Sequence, residues 1–434
     1  TVLVLNTDAT ITSEATAMLQ ALHSRSVGGI REHLETLAEK GADKFMSTFY
    51  VGYGHKSIGD CGTATLFIEN VSMLACKAIQ DWHHFSGQES STRYIDFTEQ
   101  IFLNPTGTKE GEEIQEEWRD FYKKGVAAMQ PVLKERFPIK EDESETTYSK
   151  AIAARAFDTM RGFLPVGAVT NVAWHMNLRQ FADALQYLRH HPLTEVQEMA
   201  LAVEEALLEH YPNSFSTKRY EKTEQYNKTL MQHYYYRNTD CPDFNLRRST
   251  IDKDLLQTYK ETLKERPEKT ELPRTINECG TLQFEFLIDW GGFKDLQRHR
   301  SVTQRMPLHT TEHGFHPWYL NELTDELRAE AEKLIEKQNK AIQALECTDE
   351  VKQYYIAKGY RIPNRLTGNL HALTYIAELR STVFVHPTLR TIAQKFGHTI
   401  QKVCEENGVT IELHVNDEPD RFDAKRGEHD IVKK

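Results

Sequence analysis

The sequence lacks the cysteine spacing of a metal-binding or disulfide-stapled protein. Six cysteines are scattered over 434 residues, and no two of them form a Cys-x-x-Cys pair. Neither a zinc ribbon nor a disulfide framework is therefore expected, and a reducing compartment is favoured. Two His-His pairs, at 83–84 and 190–191, have no carboxylate or cysteine at ligand spacing, so no metal site is expected. The sequence predicts a cytoplasmic location.

Long apolar runs and an excess of positive charge are also missing. No apolar stretch approaches the ~18 residues that a membrane-spanning helix needs, and Thr1–Asn6 lacks the basic region of a signal peptide. The formal net charge is −11, which excludes a general binder of nucleic acid or of membrane surfaces. A basic cluster in this chain is therefore expected to be a local site.

The clearest basic cluster is the stretch 294–305, and within it the triplet Arg298, His299 and Arg300. It follows the apolar run 282–290 directly. Cations at such a place are costly to bury without an anion, and the planar arginine fork suits phosphate or carboxylate oxygens. The alternative is a solvated basic helix end, where the helix dipole favours cations.

Hydrophobic periodicity predicts a mixed chain of helices and short strands. Strands are expected at 1–6 and 65–69. The predicted helices run to about residue 40 and then cover 72–84, 112–136, 148–160, 177–188 and 195–210. Trp118, Phe121 and Val126 mark the inner face of the helix 112–136, and Phe181, Leu185 and Leu188 form a core stripe.

The second half of the chain repeats the order of the first. Ser-Ile-Gly-Asp-Cys-Gly-Thr at 57–63 matches Thr-Ile-Asn-Glu-Cys-Gly-Thr at 275–281, and the triplet 298–300 then falls opposite Asp81, Trp82 and His83. A long charged helix precedes Pro165 in one half and Pro363 in the other, and a helix ending in Leu-Arg follows at Arg189 and Arg380. We therefore predict an α/β (α+β) fold of two tandem modules, residues 1–220 and 221–434, each a small sheet flanked by long helices and joined through about 215–265.

With both copies in view, the elements resemble the flavin-dependent thymidylate synthases. The first copy carries a turn similar to that family's, Gly54-His55-Lys56-Ser57, and a later helix with Asn177-x-Arg179, but its Arg-His-Arg has become Asp81-Trp82-His83. The second copy keeps Arg298-His299-Arg300, but Leu308 and Thr310 replace the serine and arginine beyond it, and Pro273 replaces the first histidine. Each copy has lost what the other kept.

The resemblance implies a reaction and a set of site residues. The family moves a one-carbon unit from methylenetetrahydrofolate to C5 of dUMP, with FAD reduced by NADPH. By resemblance, Ser91 and Arg298 are the catalytic candidates. The candidates for binding the nucleotide are Ser91, Arg93 and Arg298, with Arg161 and Arg189 as further candidates. The candidates for binding FAD are His55, Ser57, Glu89, Asn177, Arg179, His299 and Arg300.

The complementary loss also implies an assembly. Family members are homotetramers with sites at subunit contacts, so two chains of this length are expected to form a homodimer that mimics the tetramer, with composite sites from both modules. Two alternatives stay open: an enzyme for a different pyrimidine nucleotide, and an inactive homologue that binds nucleotide or flavin. At single residues, Ser91 and Arg93 are also consistent with loop capping, His55 with a turn, and Asn177 and Arg179 with a solvated helix face.

Overall fold

The computed structural model describes residues 2–5, 11–46 and 56–425. The helices of this part of the chain are α1 (Ser13–Arg25), α2 (Ile30–Lys40), α3 (Asp43–Phe45), α4 (Met73–Gln80), α5 (Lys109–Arg136), α6 (Glu145–Met160), α7 (Leu178–Leu188), α8 (Thr194–His210), α9 (Glu221–Met231), α10 (Lys253–Thr258), α11 (Lys260–Lys264), α12 (Trp290–Leu296), α13 (Pro317–Glu322), α14 (Asp325–Ala344), α15 (Asp349–Lys352), α16 (Leu370–Ser381) and α17 (Pro387–Glu406). The strands are β1 (Val2–Leu5), β2 (Thr63–Ser72), β3 (Ser86–Glu89), β4 (Val169–Asn177), β5 (Phe244–Ser249), β6 (Thr281–Asp289), β7 (Thr303–Gln304) and β8 (Arg361–Asn369).

The strands form two four-stranded sheets with the same topology. Their orders are β1-β2-β4-β3 and β5-β6-β8-β7, and every pairing is antiparallel. Four strands that repeat in the same order, with helices at the same places between them, confirm the predicted fold of two tandem α/β modules. The strand β5 lies inside the stretch 215–265 that was expected to be a connection, because its short, mostly exposed pattern carries little hydrophobic signal.

The sheet register fixes which residues of the two modules are equivalent. Ser86 pairs with His175 in the first sheet, and Thr303 pairs with Thr367 in the second. The helices α4 and α12 begin at equivalent capping residues, Ser72 and Asp289. Both comparisons give an offset of 217 residues (86 to 303 and 72 to 289), so Arg298, His299 and Arg300 do occupy the places of Asp81, Trp82 and His83.

Two other sequence equivalences were wrong. The short 3-10 turns at 161–163 and 353–355 precede β4 and β8 in the same way, so Pro165 corresponds to Ala357, whereas Pro363 lies inside β8. The helices α7 and α16 both start after a capping asparagine, Asn177 and Asn369, which places Arg380 opposite Leu188. Arg189 is therefore one residue further along its helix, and one residue is about 100° of rotation around a helix axis.

The chain forms two compact units that are discontinuous in sequence. The first comprises residues 1–90 and 169–234, and the second comprises 91–168 and 235–434. The division into modules at about residue 220 stays a prediction, since these units group residues by contact. Over the described ranges, no helix combines the length and the apolar character that crossing a membrane requires.

In the first unit the core lies between β4 and α7. Phe181, Leu185 and Leu188 are buried as predicted, and the Phe181 ring lies 4.8 Å from that of Trp174. The strong helical periodicity of α7 produces this stripe, because residues three and four apart share one face.

In the second unit the core is built on α5 and on the sheet around β6. The helix α5 begins at Thr108, whose side chain accepts a hydrogen bond from Gly111 N, and Glu110 and Glu112 favour its first turn. Trp118, Phe121 and Val126 are buried on its inner face, as predicted. This framework positions α6 and the turn that carries Arg161.

Gly162 makes a close packing contact in the second unit. A Cβ at this position would lie 2.6 Å from Cδ1 and 2.7 Å from Cγ of Tyr319, whose ring is fully buried. We expect Gly162→Ala to lower the free energy of unfolding by about 1–3 kcal/mol, because a packed core cannot absorb an added methyl group. Urea unfolding measures this change. Gly29→Ala is the control, since open space surrounds Gly29, and equal stability losses in both variants would contradict the prediction.

His309 gives the second unit a pH-dependent stability. It is fully buried, its Nε2 lies 3.0 Å from the Ala357 carbonyl oxygen, and burial lowers its pKa to about 3. In the unfolded chain His309 takes up a proton as the pH falls below about 6.5, whereas in the folded chain it stays neutral until about pH 3. Its contribution to the free energy of unfolding is therefore complete above pH 6.5 and is lost as the pH falls towards 3.

When the pH is lowered from 7 to 5, we expect the free energy of unfolding to decrease by about 2 kcal/mol because of His309. His309→Gln keeps an N–H for Ala357 but does not titrate. The decrease between the two pH values, measured by urea unfolding, is therefore expected to be smaller in the variant. Equal decreases in both proteins would show that His309 does not control the effect.

Candidate anion-binding site

The order β6, α12 and β7, which repeats that of β2, α4 and β3, places the triplet at the end of a short helix. Asp289 starts α12 by accepting a hydrogen bond from Gly292 N at 2.9 Å, and the helix ends at Leu296, just before Arg298. Arg298 is exposed, and its Nη2 lies 2.5 Å from Oδ1 of Asp295 one turn earlier. The capping of α12 thus determines the position of the Arg298 backbone.

His299 acts as a hydrogen-bond acceptor within the triplet and not as a cation. Its Nε2 accepts a hydrogen bond from Nε of Arg380 at 2.8 Å, so the proton of the neutral ring is on Nδ1. Burial lowers the pKa of His299 to about 3, and the charges of Arg380 and Arg298 act in the same direction. The histidine therefore serves as an acceptor that orients Arg380.

Arg380, on α16, is the second cation of this site. Besides His299, it donates from Nη2 to the backbone oxygen of Asp295 at 3.1 Å, and among the described residues it bonds no side-chain carboxylate. Burial lowers the pKa of Arg380, as does the charge of Arg298, whereas Asp295 opposes them. Arg298 and Arg380 are thus both bonded to Asp295, the first through the carboxylate and the second through the backbone oxygen.

Asp295 is the carboxylate that these cations share. Burial alone would raise its pKa, but the guanidinium groups of Arg298, Arg380, Arg161 and Arg93 together hold it well below its usual range. An ionised Asp295 compensates one of the two charges on Arg298 and Arg380. The remaining positive charge, with exposed Arg300 following in sequence, suits an anionic ligand.

The structure brings Arg93 close enough to influence the same carboxylate, although its own guanidinium is already bonded. Nε and Nη2 of Arg93 donate to the two carboxylate oxygens of Asp158 at 2.7 and 2.9 Å, and Nη1 donates to the Phe384 carbonyl oxygen at 3.0 Å. Although burial disfavours the charge, Asp158 raises the pKa of Arg93. Ser91 Oγ accepts from Arg93 N at 3.3 Å, which is the loop-capping contact.

Arg161 lies in a buried polar cluster of the second unit. It is 2% exposed, and its Nε donates to the Tyr319 hydroxyl at 3.4 Å, which in turn donates to Oδ2 of Asp289 at 2.8 Å. Arg161 Nη2 and Asp289 Oδ1 are both buried and have no hydrogen-bond partner among the described residues. A buried water is the simplest group that would satisfy both atoms.

The remaining candidates lie in the first unit, and most are engaged by neighbours. The buried Glu89 carboxylate lies 3.0 Å from Lys77 Nζ and accepts from Gln80 at 2.8 Å. Arg179 Nε donates to Asp60 at 2.7 Å, and Asn177 caps α7 by accepting from Gln180 N. Ser57 is exposed, and His55 lies outside the described residues.

Arg189 also belongs to the first unit. Its Nη2 lies 2.5 Å from Oε1 of Glu224, and its Nη1 lies 3.7 Å from Oε1 of Glu204. Two carboxylates thus compensate its charge. The one-residue difference in helix position explains why Arg189 and Arg380, matched in sequence, have different surroundings.

These placements test how well the residues fit FAD. The surplus charge of Arg298 and Arg380 suits a pyrophosphate, whereas Glu89, Asn177 and Arg179, predicted to line the flavin, use their side chains in local contacts. Arg298 and Arg380 therefore fit an anionic phosphate group, and the flavin-binding role of Glu89, Asn177 and Arg179 stays a prediction. Within the described ranges, no group of three or more His, Cys, Asp or Glu side chains is arranged to hold a metal ion.

Sequence reasoning missed Arg380, Asp295 and Asp158 as parts of this arrangement. A signal for Arg380 was present, since it ends a helix that begins with Asn369-x-His371 in the copy that keeps Arg298. Asp295 was visible as an acidic residue three positions before Arg298, a spacing that joins two side chains on a helix. Asp158 had no signal, because its contact with Arg93 spans 65 residues.

The fold and the site together define a tandem α/β protein with a cationic surface in its second compact unit. The family model described as thymidylate synthase complementing protein matches residues 3–213. Over these residues the chain is similar to the flavin-dependent thymidylate synthase-like family, the family that the sequence motifs resemble.

Named relatives extend over more of the chain. A UPF0159 protein of Chlamydia pneumoniae is 26% identical over 421 residues, covering 83% of this chain and 78% of the relative. A UPF0159 protein of Thermoplasma acidophilum is 26% identical and covers 84% of this chain and 87% of the relative. A flavin-dependent thymidylate synthase of Thermococcus kodakarensis is 27% identical over 134 residues, which are 29% of this chain and 54% of the relative.

Solved structures match about half of the chain. A UMP/dUMP methylase from Streptomyces cacaoi bound with 5-Br UMP is 14% identical with a TM-score of 0.30, covering 53% of this chain and 95% of the methylase chain. A thymidylate synthase X from Helicobacter pylori with FAD and dUMP is 17% identical with a TM-score of 0.29, covering 50% and 97% of the two chains. TM-scores this low carry no functional conclusion.

Proposed function

We propose that this protein is a flavin-dependent methyltransferase that acts on C5 of a uracil nucleotide, in a reaction of the dUMP to dTMP type. One observation carries the binding part of this proposal: the Asp295 carboxylate bonds Arg298, whereas Arg380 bonds the Asp295 backbone oxygen and no side-chain carboxylate among the described residues. The surplus positive charge is the group that a nucleotide phosphate would meet. The match to the family model, and the similarity to a flavin-dependent thymidylate synthase of Thermococcus kodakarensis, support the reaction class.

The residues of this chain have the task of binding and orientation. Bound FAD and methylenetetrahydrofolate would supply the hydride and the one-carbon unit, with NADPH as the reductant. Arg298 is exposed at the end of α12 and would contact the phosphate first. Arg380 is oriented by the His299 acceptor at 2.8 Å, so its remaining N–H groups are held in one direction.

The experiment is a binding and turnover measurement on the purified full chain. Isothermal titration with dUMP is expected to show binding that Arg298→Ala weakens at least tenfold, since a charge-assisted bidentate contact is lost. With FAD, NADPH and methylenetetrahydrofolate present, tritium is expected to leave C5-labelled dUMP. Unchanged dUMP affinity in Arg298→Ala would refute the site, and bound dUMP without tritium release would refute this reaction.

A second candidate function is nucleotide binding without turnover. It is favoured by the first unit, where Glu89, Arg179 and Asn177 are engaged in local contacts. The visible absorbance spectrum separates the two candidates. A protein that stays colourless after reconstitution with FAD but binds dUMP would support this candidate, and a bound flavin spectrum would support the methyltransferase.

The homodimer predicted from the sequence is part of the same proposal. One chain has a mass of 50.2 kDa, so light scattering is expected to give about twice this value. A mass of one chain in solution would refute the pseudo-tetramer.

A further inference from the structure

An exposed aromatic side chain lies beside the cationic site on α16. Tyr375 is 46% exposed, and Leu379, one helical turn later, is 39% exposed. Their spacing of four residues places both on one face of the helix. Single exposed hydrophobic residues are common on proteins, so exposure alone does not indicate a ligand.

The neighbours of Tyr375 distinguish it from an ordinary surface residue. Its ring centroid lies 6.0 Å from that of His299, at an interplanar angle of 65°. It also lies near enough to Arg380 to raise the pKa of that guanidinium, against the larger effects of burial and of Arg298. Tyr375 and Arg380 are five residues apart, which is ~7.5 Å along a helix axis. Both side chains adjoin His299, so an aromatic ring and a cation lie beside the same residue.

The first module shows that the fold does not require an aromatic residue here. Matching Asn177 with Asn369, the capping residues of α7 and α16, places Asp183 opposite Tyr375. Asp183 is a partly exposed carboxylate whose Oδ1 lies 3.9 Å from Lys56 Nζ. The tyrosine therefore occurs in the module that keeps the arginine pair, and a charged residue occupies its place in the module that lost the triplet.

We propose that Tyr375 is the stacking surface for the pyrimidine ring of a nucleotide whose phosphate is bound by Arg298 and Arg380. This inference rests on the proposed function and names the residue that recognises the base. A nucleoside 5′-monophosphate separates its phosphate from its base by one sugar, which suits a cation and an aromatic ring that both adjoin His299. Stacking on a tyrosine requires no hydrogen bond to the base, so this contact strengthens binding of planar bases in general.

A comparison of two ligands separates the contribution of the base from that of the phosphate. The ligands are dUMP and 2-deoxyribose 5-phosphate, which has no base. Tyr375→Ala is expected to weaken dUMP binding roughly 5- to 100-fold and to leave the binding of the sugar phosphate unchanged. Tyr375→Phe keeps the ring and is expected to bind both ligands as the unchanged protein does. Tyr226→Ala, at a tyrosine on α9 that is 66% exposed, is the matched control for loss of a surface aromatic.

Several results would overturn the inference. If Tyr375→Ala weakens both ligands equally, or neither, the residue does not contact the base. If it weakens riboflavin 5′-phosphate and not dUMP, the aromatic surface serves a flavin. If Arg380→Ala weakens the sugar phosphate while Tyr375→Ala leaves dUMP unchanged, this inference alone fails. If neither ligand binds the unchanged protein, the proposed function fails and the inference with it.

Discussion

Replacing Arg380 with alanine is expected to weaken dUMP binding about 100-fold, the largest effect of any single change at the site. Arg380 is half-buried, is oriented by His299 at 2.8 Å, and bonds no side-chain carboxylate among the described residues. Removing such a cation from a phosphate contact costs about 2–5 kcal/mol, and each 1.4 kcal/mol is a factor of ten in affinity. Isothermal titration of the variant with dUMP measures the loss.

The control variants separate charge from geometry. Arg380→Lys keeps the positive charge but not the two-nitrogen fork that reaches both His299 and the Asp295 oxygen, so an intermediate loss is expected. Arg237→Ala removes a surface cation that pairs with Glu312 and Asp349, and it is expected to leave dUMP affinity unchanged. Equal affinities in Arg380→Ala and Arg237→Ala would show that Arg380 does not bind the phosphate.

The fold was predictable from the sequence where local signals were strong. The heptapeptide repeat at 57–63 and 275–281 and the amphipathic helices α5, α7 and α8 led to two α/β modules. The edge strand β5 was missed because its residues are mostly exposed, so the alternation that indicates a strand is weak. The sequence matched Arg189 with Arg380 because each follows a leucine near the end of a helix. This match was wrong by one residue.

The site was predictable in part. The sequence located Arg298 and the position of the triplet, because cations after an apolar run stand out. It could not assign the charge of His299, which depends on burial and on Arg380, 81 residues away. It also could not show that Arg93 is held by Asp158, because contacts between distant segments leave no periodic pattern. The roles predicted for the individual site residues stay predictions.

The ion pair between Arg93 and Asp158 is expected to be a principal stabilising contact of the second unit. Asp158 is fully buried and accepts two hydrogen bonds from Arg93. Its charge also raises the pKa of Arg161, whereas the charge of Arg93 lowers that pKa. Asp158→Asn removes the charge that separates these two arginines. Breaking such a buried pair costs about 3–5 kcal/mol, so urea unfolding is expected to show a loss of this size.

A double-mutant cycle isolates the pair from its surroundings. Arg93→Met leaves Asp158 with Arg161 as a neighbouring cation, so its loss is expected to be smaller than that of Asp158→Asn. The double variant is expected to lose less stability than the sum of the two single variants. Each single variant leaves one partner of the pair buried without the other, whereas the double variant removes both. Strictly additive losses would contradict the expected coupling.

The same Arg93→Met variant shows whether Arg93 binds the nucleotide or only holds the surrounding chain in position. All three guanidinium nitrogens of Arg93 already donate within the chain, to Asp158 and to the Phe384 carbonyl oxygen. If Arg93 is a positioning residue, the folded variant binds dUMP within a few-fold of the unchanged protein. If it binds the nucleotide, as the sequence predicted, its affinity falls at least tenfold, and Asp158 must then exchange its partner for the ligand. The ion-pair geometry leads us to expect the first result.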